Sequence, residues 1–426
     1  MTALVPPPAP VVSRAVAATY VAFIGSGFAF ASWASRIPQV REALDLSNAA
    51  LGLVLLAIAA GSVLALPASG PVIARIGSRR MVTVMSVLLG AALVVAAVGV
   101  LEAELVWLVA GLFLLGLANG AWDVGMNVQG AVVERLVGRT VMSRFHAGFS
   151  VGTVAGALLG ALLVRLDVGV PVHLGVVGVV VGVLVPLGVR RFVADSSAAG
   201  LAPLDAGQAE GAPAPDGDGA PGTAPQARGS LASWTEPRTL LIGVFVLAFA
   251  FAEGTANDWV AVAVIDGYDA PEELATLTFA VFLAAMTVGR WYGPGLLDRY
   301  GRVATIRVMA TVALSGLALF ILAPNLPLAV AGALLWGGGV ALGFPLGMSA
   351  AADDPALAPG RVSVVASIGY VAFLAGPPLI GLLGEAAGVL QALSVVAVLL
   401  ALALLVSGAV RPLQPATAQD RRATTA

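Results

Sequence analysis

The sequence predicts an all-α integral membrane protein whose twelve transmembrane helices form two six-helix bundles. Three observations carry that expectation. With 59% hydrophobic residues, 11% charged residues and a mean hydropathy of +0.97, a chain of 426 residues has too little charge to cover a soluble globule. Twelve apolar stretches are long enough to cross a hydrocarbon core about 30 Å thick, which takes about 20 helical residues. The second half then repeats landmarks of the first at a constant offset.

The opening MTALVPPPAPVVSR reads as a Pro-rich tail over 1–14. The first apolar stretch, 15–37, has full spanning length and is too long for a cleavable signal core. The next five run over 48–70, 81–101, 105–131, 145–165 and 171–190, closing a first bundle at 15–190. Residues 191–237, including GQAEGAPAPDGDGAPGTAP, hold almost no large apolar side chains, so this segment reads as a disordered linker. The second bundle, 238–410, holds stretches at 239–265, 274–297, 304–324, 328–350, 361–383 and 389–409, followed by a tail over 411–426.

Orientation follows from the arginines, which supply all 22 basic residues. Only Arg36, Arg41 and Arg165 fall in one set of alternate loops, Arg290 lies within a stretch, and the rest crowd the other set and the termini. Positive charge stays inside, so both termini are expected in the cytoplasm and the chain in the cell inner membrane. With no lysine there is no Walker Lys, and with no cysteine there is no thiolate metal site or Cys nucleophile. No metal site, cofactor or enzyme chemistry is expected. At net charge −2 and without a basic patch, nucleic acid is excluded as a partner, leaving the lipid bilayer and small solutes around a monomer.

The halves echo each other. GPVIARIGSRR follows the second stretch and GPGLLDRYGR closes the eighth; aligning Gly77 with Gly301 gives an offset of 224. The same shift carries Gly152 onto Gly376 and Gly160 onto Gly384. Six-helix repeats of this kind are the plan of alternating-access carriers. In the fifth stretch Gly148, Gly152, Gly156 and Gly160 recur every fourth residue, a face that admits close helix contact, either to rock or to pack. Gly376, Pro377 and Pro378 offer a kink in the eleventh.

The polar groups at bilayer depth point to function. GLANGAWDVGMNVQG places Asn119, Asp123 and Asn127 one turn apart on one helical stripe. A carboxylate there costs a few kcal/mol unless it faces protein or water, and such acids mark proton, ion or substrate paths. FAFAEGTANDWVAVAV adds Glu253 and Asn257, with Asp258 and Trp259 toward the outer surface. Asp123 and Glu253 are therefore the candidate proton carriers. Pairing with an arginine that locks helices together is the alternative for each. Asn119, Asn127 and Asn257 are candidate solute contacts, as are the flat faces of Trp33, Trp122 and Trp259; tryptophan is also the usual interface anchor. Arg36 is a candidate for an anionic group on the solute, or else a loop charge.

The two basic loops resemble the signature loop of the major facilitator superfamily. The second copy keeps Asp298, Arg299, Gly301 and Arg302; the first keeps Gly70, Arg75, Gly77, Arg79 and Arg80 but has Ala74 where that family has an acid. The resemblance implies the major facilitator fold and a gating role for these residues, with the missing acid shifting the latch to Asp298 and Arg290. GLANGAWDVGMN further resembles the fourth helix of the fucose-permease-like branch, which implies a sugar- or proton-related role for Asp123. Against that branch, Ser35 and Arg36 stand where its first helix carries a proton-linked acid.

The expected function is secondary active transport by alternating access, as proton-coupled symport of a small polar solute such as a sugar or related metabolite. Proton-antiport export of metabolites or drug-like compounds is the second expectation. A non-transporting receptor or scaffold is the third.

Overall fold

The structure is a computed structural model and describes residues 8–138, 141–198, 233–354 and 357–413. Residues 199–232 of the expected linker, 1–7 of the first tail and 414–426 of the last lie outside the described residues. Twelve helices long and apolar enough to cross a membrane are present: α1 (Ala9–Ala43), α2 (Asn48–Ile76), α3 (Ser78–Leu101), α4 (Leu105–Val137), α5 (Met142–Arg165), α6 (Val170–Val189), α7 (Pro237–Tyr268), α8 (Glu272–Tyr300), α9 (Arg302–Leu322), α10 (Leu326–Ala351), α11 (Gly360–Ala387) and α12 (Val389–Val410).

Several helices outrun the expected boundaries. The first begins at Ala9 instead of 15, and α4 continues to Val137 instead of 131. At 1.5 Å per residue a 33-residue helix is about 50 Å long, so its polar end extends beyond an apolar core of about 30 Å. Hydropathy marks only the part inside that core. The spans α1 and α10 are interrupted. The first α-helix of α1 ends at Ala34 and a second runs Ile37–Ala43, restarted by Pro38 in its first turn, where a missing N–H is harmless. In α10, Leu326–Val340 gives way to Gly343–Ala351.

Within the first half α1 packs on α5, α3 on α4 and α6, and α2 on α4; within the second α7 packs on α11, α9 on α10 and α12, and α8 on α10. The pairing repeats with the offset read from the sequence. Helices α2 and α8 are both 29 residues long and start 224 residues apart. Each ends on a glycine in a conformation open only to glycine, Gly77 at φ 80° and ψ 156° and Gly301 at φ 77° and ψ 164°. The glycine face of α5 lies against α1 of its own half: a Cβ on Gly152 would stand 2.2 Å from the Ile24 carbonyl oxygen. That contact is tight packing inside one bundle. The halves meet through α2 with α11 and α5 with α8.

Candidate functional site

The polar contacts that join the two halves gather at one face of the molecule. On the face opposite the arginine-rich loops, Arg41 of α1 grips Asp266 of α7 with two hydrogen bonds of 2.5 Å and also holds Asn48 at 2.9 Å. Beside it Gln39 donates to Glu272 at the start of α8 at 2.7 Å, and the Ala49 amide donates to Glu385 at the end of α11 at 3.3 Å. Backbones close up at the same level, where a Cβ on Gly52 would meet the Pro377 carbonyl at 2.5 Å and one on Gly381 the Asn48 carbonyl at 2.5 Å. Toward the arginine-rich face no hydrogen bond or ion pair joins the halves among the described residues. Ion pairs there stay within the second half: Asp353 bridges Arg238 at 2.8 Å and Arg302 at 2.6 Å, and Arg361 holds Glu236 at 2.6 Å. Burial works to raise the Glu236 carboxyl, but hydrogen bonds from Arg361 and Thr239 and the charges of Arg361 and Arg238 outweigh it and hold it below the usual carboxylate range.

Half-buried polar side chains at bilayer depth come from both halves. On α4 the one-turn spacing does put the three predicted residues on one stripe. Asn119 accepts a hydrogen bond from Ser26 of α1 at 3.1 Å, and Asn127 donates to the backbone oxygen of Asp123 at 2.9 Å and to its carboxylate at 3.3 Å. Asp123 is half-buried, forms no ion pair among the described residues, and lies within electrostatic reach of Tyr370 on α11. Glu253 is placed differently. Both of its oxygens accept from one terminal nitrogen of Arg290 on α8 at 2.8 Å, and each side chain keeps about a fifth of its surface exposed. Arg290 also reaches the Ala341 carbonyl at the break in α10 and lies within electrostatic reach of His146 on α5. Asn257 and Asp258, one turn beyond Glu253, are half-buried.

Several sequence expectations are corrected. Trp33, Trp122 and Trp259 keep at most 1% of their surface accessible, so none offers a face for a solute to stack on. Large aromatic side chains at bilayer depth serve equally as helix core, and these three fill it. Arg36, 2% exposed, is neither a loop charge nor a group facing the space between the bundles: at the break in α1 it donates to His173 at 2.9 Å and to the Val168 carbonyl at 2.7 Å. Arg290 does not join Asp298 in a latch; Asp298 is exposed and makes no ion pair among the described residues. Arg75, Arg79 and Arg299 are exposed, Arg299 lying 5.2 Å from the Tyr300 ring centre, while Gly77 and Gly301 form the corners described above. Sequence reasoning passed over Arg41, Gln39, Asp266 and Glu272, four of the side chains that join the halves. The one available signal was a basic residue on the side where arginines are scarce.

Twelve spanning helices in two packed repeats, joined by polar contacts at one face, define a two-bundle membrane protein. The profile of the Major Facilitator Superfamily matches residues 18–358. The uncharacterized transporter y4wD of Sinorhizobium fredii is 32% identical over 367 residues, covering 86% of this chain and 90% of that protein. Among solved structures, a mutant of the nucleoside transporter NupG superposes with a TM-score of 0.71 at 13% identity, covering 94% of this chain and 98% of that one. The E. coli fucose:proton symporter FucP does so at 0.57 and 12% identity, covering 93% and 98%. At these identities the two structures share the fold alone. The chain belongs to the Major Facilitator Superfamily and is a multi-pass membrane transporter of that family.

Proposed function

We propose that this chain is a monomeric secondary active transporter that works by alternating access, carrying a small polar solute such as a sugar or related metabolite in symport with protons. It sits in the inner membrane with both termini cytoplasmic, so the face whose polar contacts join the halves is the outer one. The observation that carries the reading is Asp123: a half-buried carboxyl at bilayer depth with no ion-pair partner among the described residues, within electrostatic reach of Tyr370 on the other half. Glu253, matched by Arg290, already has its counter-charge and is assigned to holding that arginine. Asp123 binds a proton when the space faces outward, and loses it to the cytoplasm when the outer seal forms and the inner face parts. Asn119 and Asn127 on the same stripe contact the solute beside it.

Reconstituted vesicles with an imposed pH gradient test this. Uptake should follow the gradient in the native chain, and Asp123→Asn should abolish gradient-driven accumulation while leaving downhill exchange. Uptake indifferent to the gradient sinks the coupling. Secretion without uptake would make the protein an exporter.

A further inference from the structure

Helices α3 and α6 pack on each other within the first half and are not among the helices through which the halves meet. They cross antiparallel at backbone contact: a Cβ on Gly90 would stand 2.4 Å from the Gly178 carbonyl oxygen, and one on Gly178 would stand 2.5 Å from that of Gly90. One turn nearer the arginine-rich face, Gly182 lies against Ser86 and Val87. Counting from that level at 1.5 Å per residue, Arg80 is about 9 Å back along α3 and Arg190 about 12 Å on along α6. The two arginines therefore end the seam at nearly the same depth, each with a second arginine beside it, Arg79 and Arg191. Asp195 ties these ends together, because both of its oxygens accept from Ser78, one from the amide at 2.8 Å and the other from the hydroxyl.

Each stripe that these helices leave uncovered ends on an arginine. On α3 the exposed Val84, Val87 and Val94 follow Arg80 at helical spacing, and on α6 the exposed Val183 and Leu187 lead into Arg190. Arg79, Arg80, Arg190 and Arg191 are all exposed and form no ion pair among the described residues. Arg79 and Arg80 also lie in the first turn of α3, where the helix dipole disfavours cations, so they do not serve the helix. The second half supplies an internal control. At the offset of 224 residues, Val303 and Ala304 stand where the first half has Arg79 and Arg80. Arg302 and Arg307 beside them are engaged by Asp353 and Ser407. Keeping positive charge on this face therefore requires neither the doubling nor the exposure seen at the end of the α3 and α6 seam.

We propose that this end of the seam binds an anionic phospholipid with two phosphates, of the cardiolipin type, its phosphates held among the four guanidiniums and its acyl chains laid along the two valine-rich stripes. Guanidiniums pair with phosphate oxygens through charge-assisted, often bidentate hydrogen bonds. Four of them, offset by Asp195 alone among the described residues, carry more charge than a single phosphate neutralises. The apolar stripes that begin one turn away hold the acyl chains that a soluble phosphate compound lacks, and basic pockets between helices on this side of a membrane suit such headgroups. The site shares no residue with those proposed for the proton or the solute, so it stands or falls apart from them.

Thermal unfolding of the purified full chain in neutral detergent tests this, with cardiolipin, phosphatidylglycerol or phosphatidylcholine titrated into the micelles, since a ligand of the folded form raises its stability. Cardiolipin should act at about a tenfold lower mole fraction than phosphatidylglycerol, phosphatidylcholine should act weakest, and the differences should shrink as salt rises. Each arginine removed should weaken cardiolipin about fivefold, so Arg80→Gln gives that loss and Arg190→Gln with Arg191→Gln gives about twentyfold or more. Lysine at positions 190 and 191 keeps the charge and should restore most of the affinity. Arg165→Gln, which removes an exposed arginine from the opposite face, should leave the titration unchanged. Pyrophosphate, which brings the charge without the chains, should not reproduce the lipid's effect. Phosphatidylcholine or phosphatidylglycerol as potent as cardiolipin, pyrophosphate as effective as the lipid, an equal loss with Arg165→Gln, or a cardiolipin response that survives both glutamine variants overturns the proposal. Should the double variant fail to fold, Arg80→Gln alone decides.

Discussion

Glu253 and Asp123 satisfy the cost of a buried acid in opposite ways, and the difference predicts how each responds to neutralisation. Removing the charge of Glu253 leaves the Arg290 guanidinium, about three-quarters buried, facing an amide instead of a carboxylate. Breaking such a pair from one side is worse than removing both partners, because the remaining charge keeps its desolvation cost. Glu253→Gln should therefore lower stability by about 2 kcal/mol. Glu253→Gln with Arg290→Gln should recover most of it. Thermal unfolding of the purified chain measures both, and a single variant as stable as the native protein would show that the pair neutralises nothing. Of these two acids only the surroundings of Asp123 were legible in the sequence, because its hydrogen-bond partner Asn127 is one turn away on the same helix. Glu253 and Arg290 are 37 residues apart on different helices, and no periodicity relates them. The tryptophans misled for a related reason: side-chain chemistry alone does not say which face of a helix is turned to a core.

Helices α2 and α8 show what the sequence does encode at the level of an element. Each is a 29-residue helix that ends at a glycine near φ +80° and passes at once into the next helix, so the corner is set by one residue whose conformation no side chain tolerates. Gly295 is a contrasting case six residues earlier, inside α8, where an added Cβ meets open space. Gly301→Ala should destabilise by about 1 to 3 kcal/mol, the cost of a strained backbone conformation. Gly295→Ala should stabilise by about 0.4 to 1 kcal/mol by restricting the unfolded chain. Opposite signs from the same chemical change, read by unfolding in detergent, check the assignment, and equal effects would contradict it. The breaks in α1 and α10 were not legible. Both interrupted segments remain apolar overall, and a hydropathy window averages across a two-residue corner.

At the scale of the whole molecule the halves are joined on one face by few polar contacts, and the pair Arg41 with Asp266 is the most direct of them. Both side chains keep roughly a fifth to a quarter of their surface exposed, so the pair contributes only about 1 kcal/mol, equivalent to about a fivefold change in the ratio of closed to open outer faces. Arg41→Asp replaces that attraction with repulsion and should shift the balance further, by at least tenfold. Adding Asp266→Arg restores opposite charges across the same gap and should return the native balance. The sequence has no cysteine, so Glu102→Cys in the α3 to α4 turn and Pro324→Cys in the α9 to α10 turn give two exposed label sites, one on each half of the sealed face. Spin-label distances between them should be short in the native background, gain a longer component with Arg41→Asp, and lose it again in the charge swap. The lost attraction favours opening only if this face is a gate between two states of similar free energy. A distance distribution unmoved by Arg41→Asp would therefore mean that the outer contact is fixed packing, and that access to Asp123 does not alternate through it.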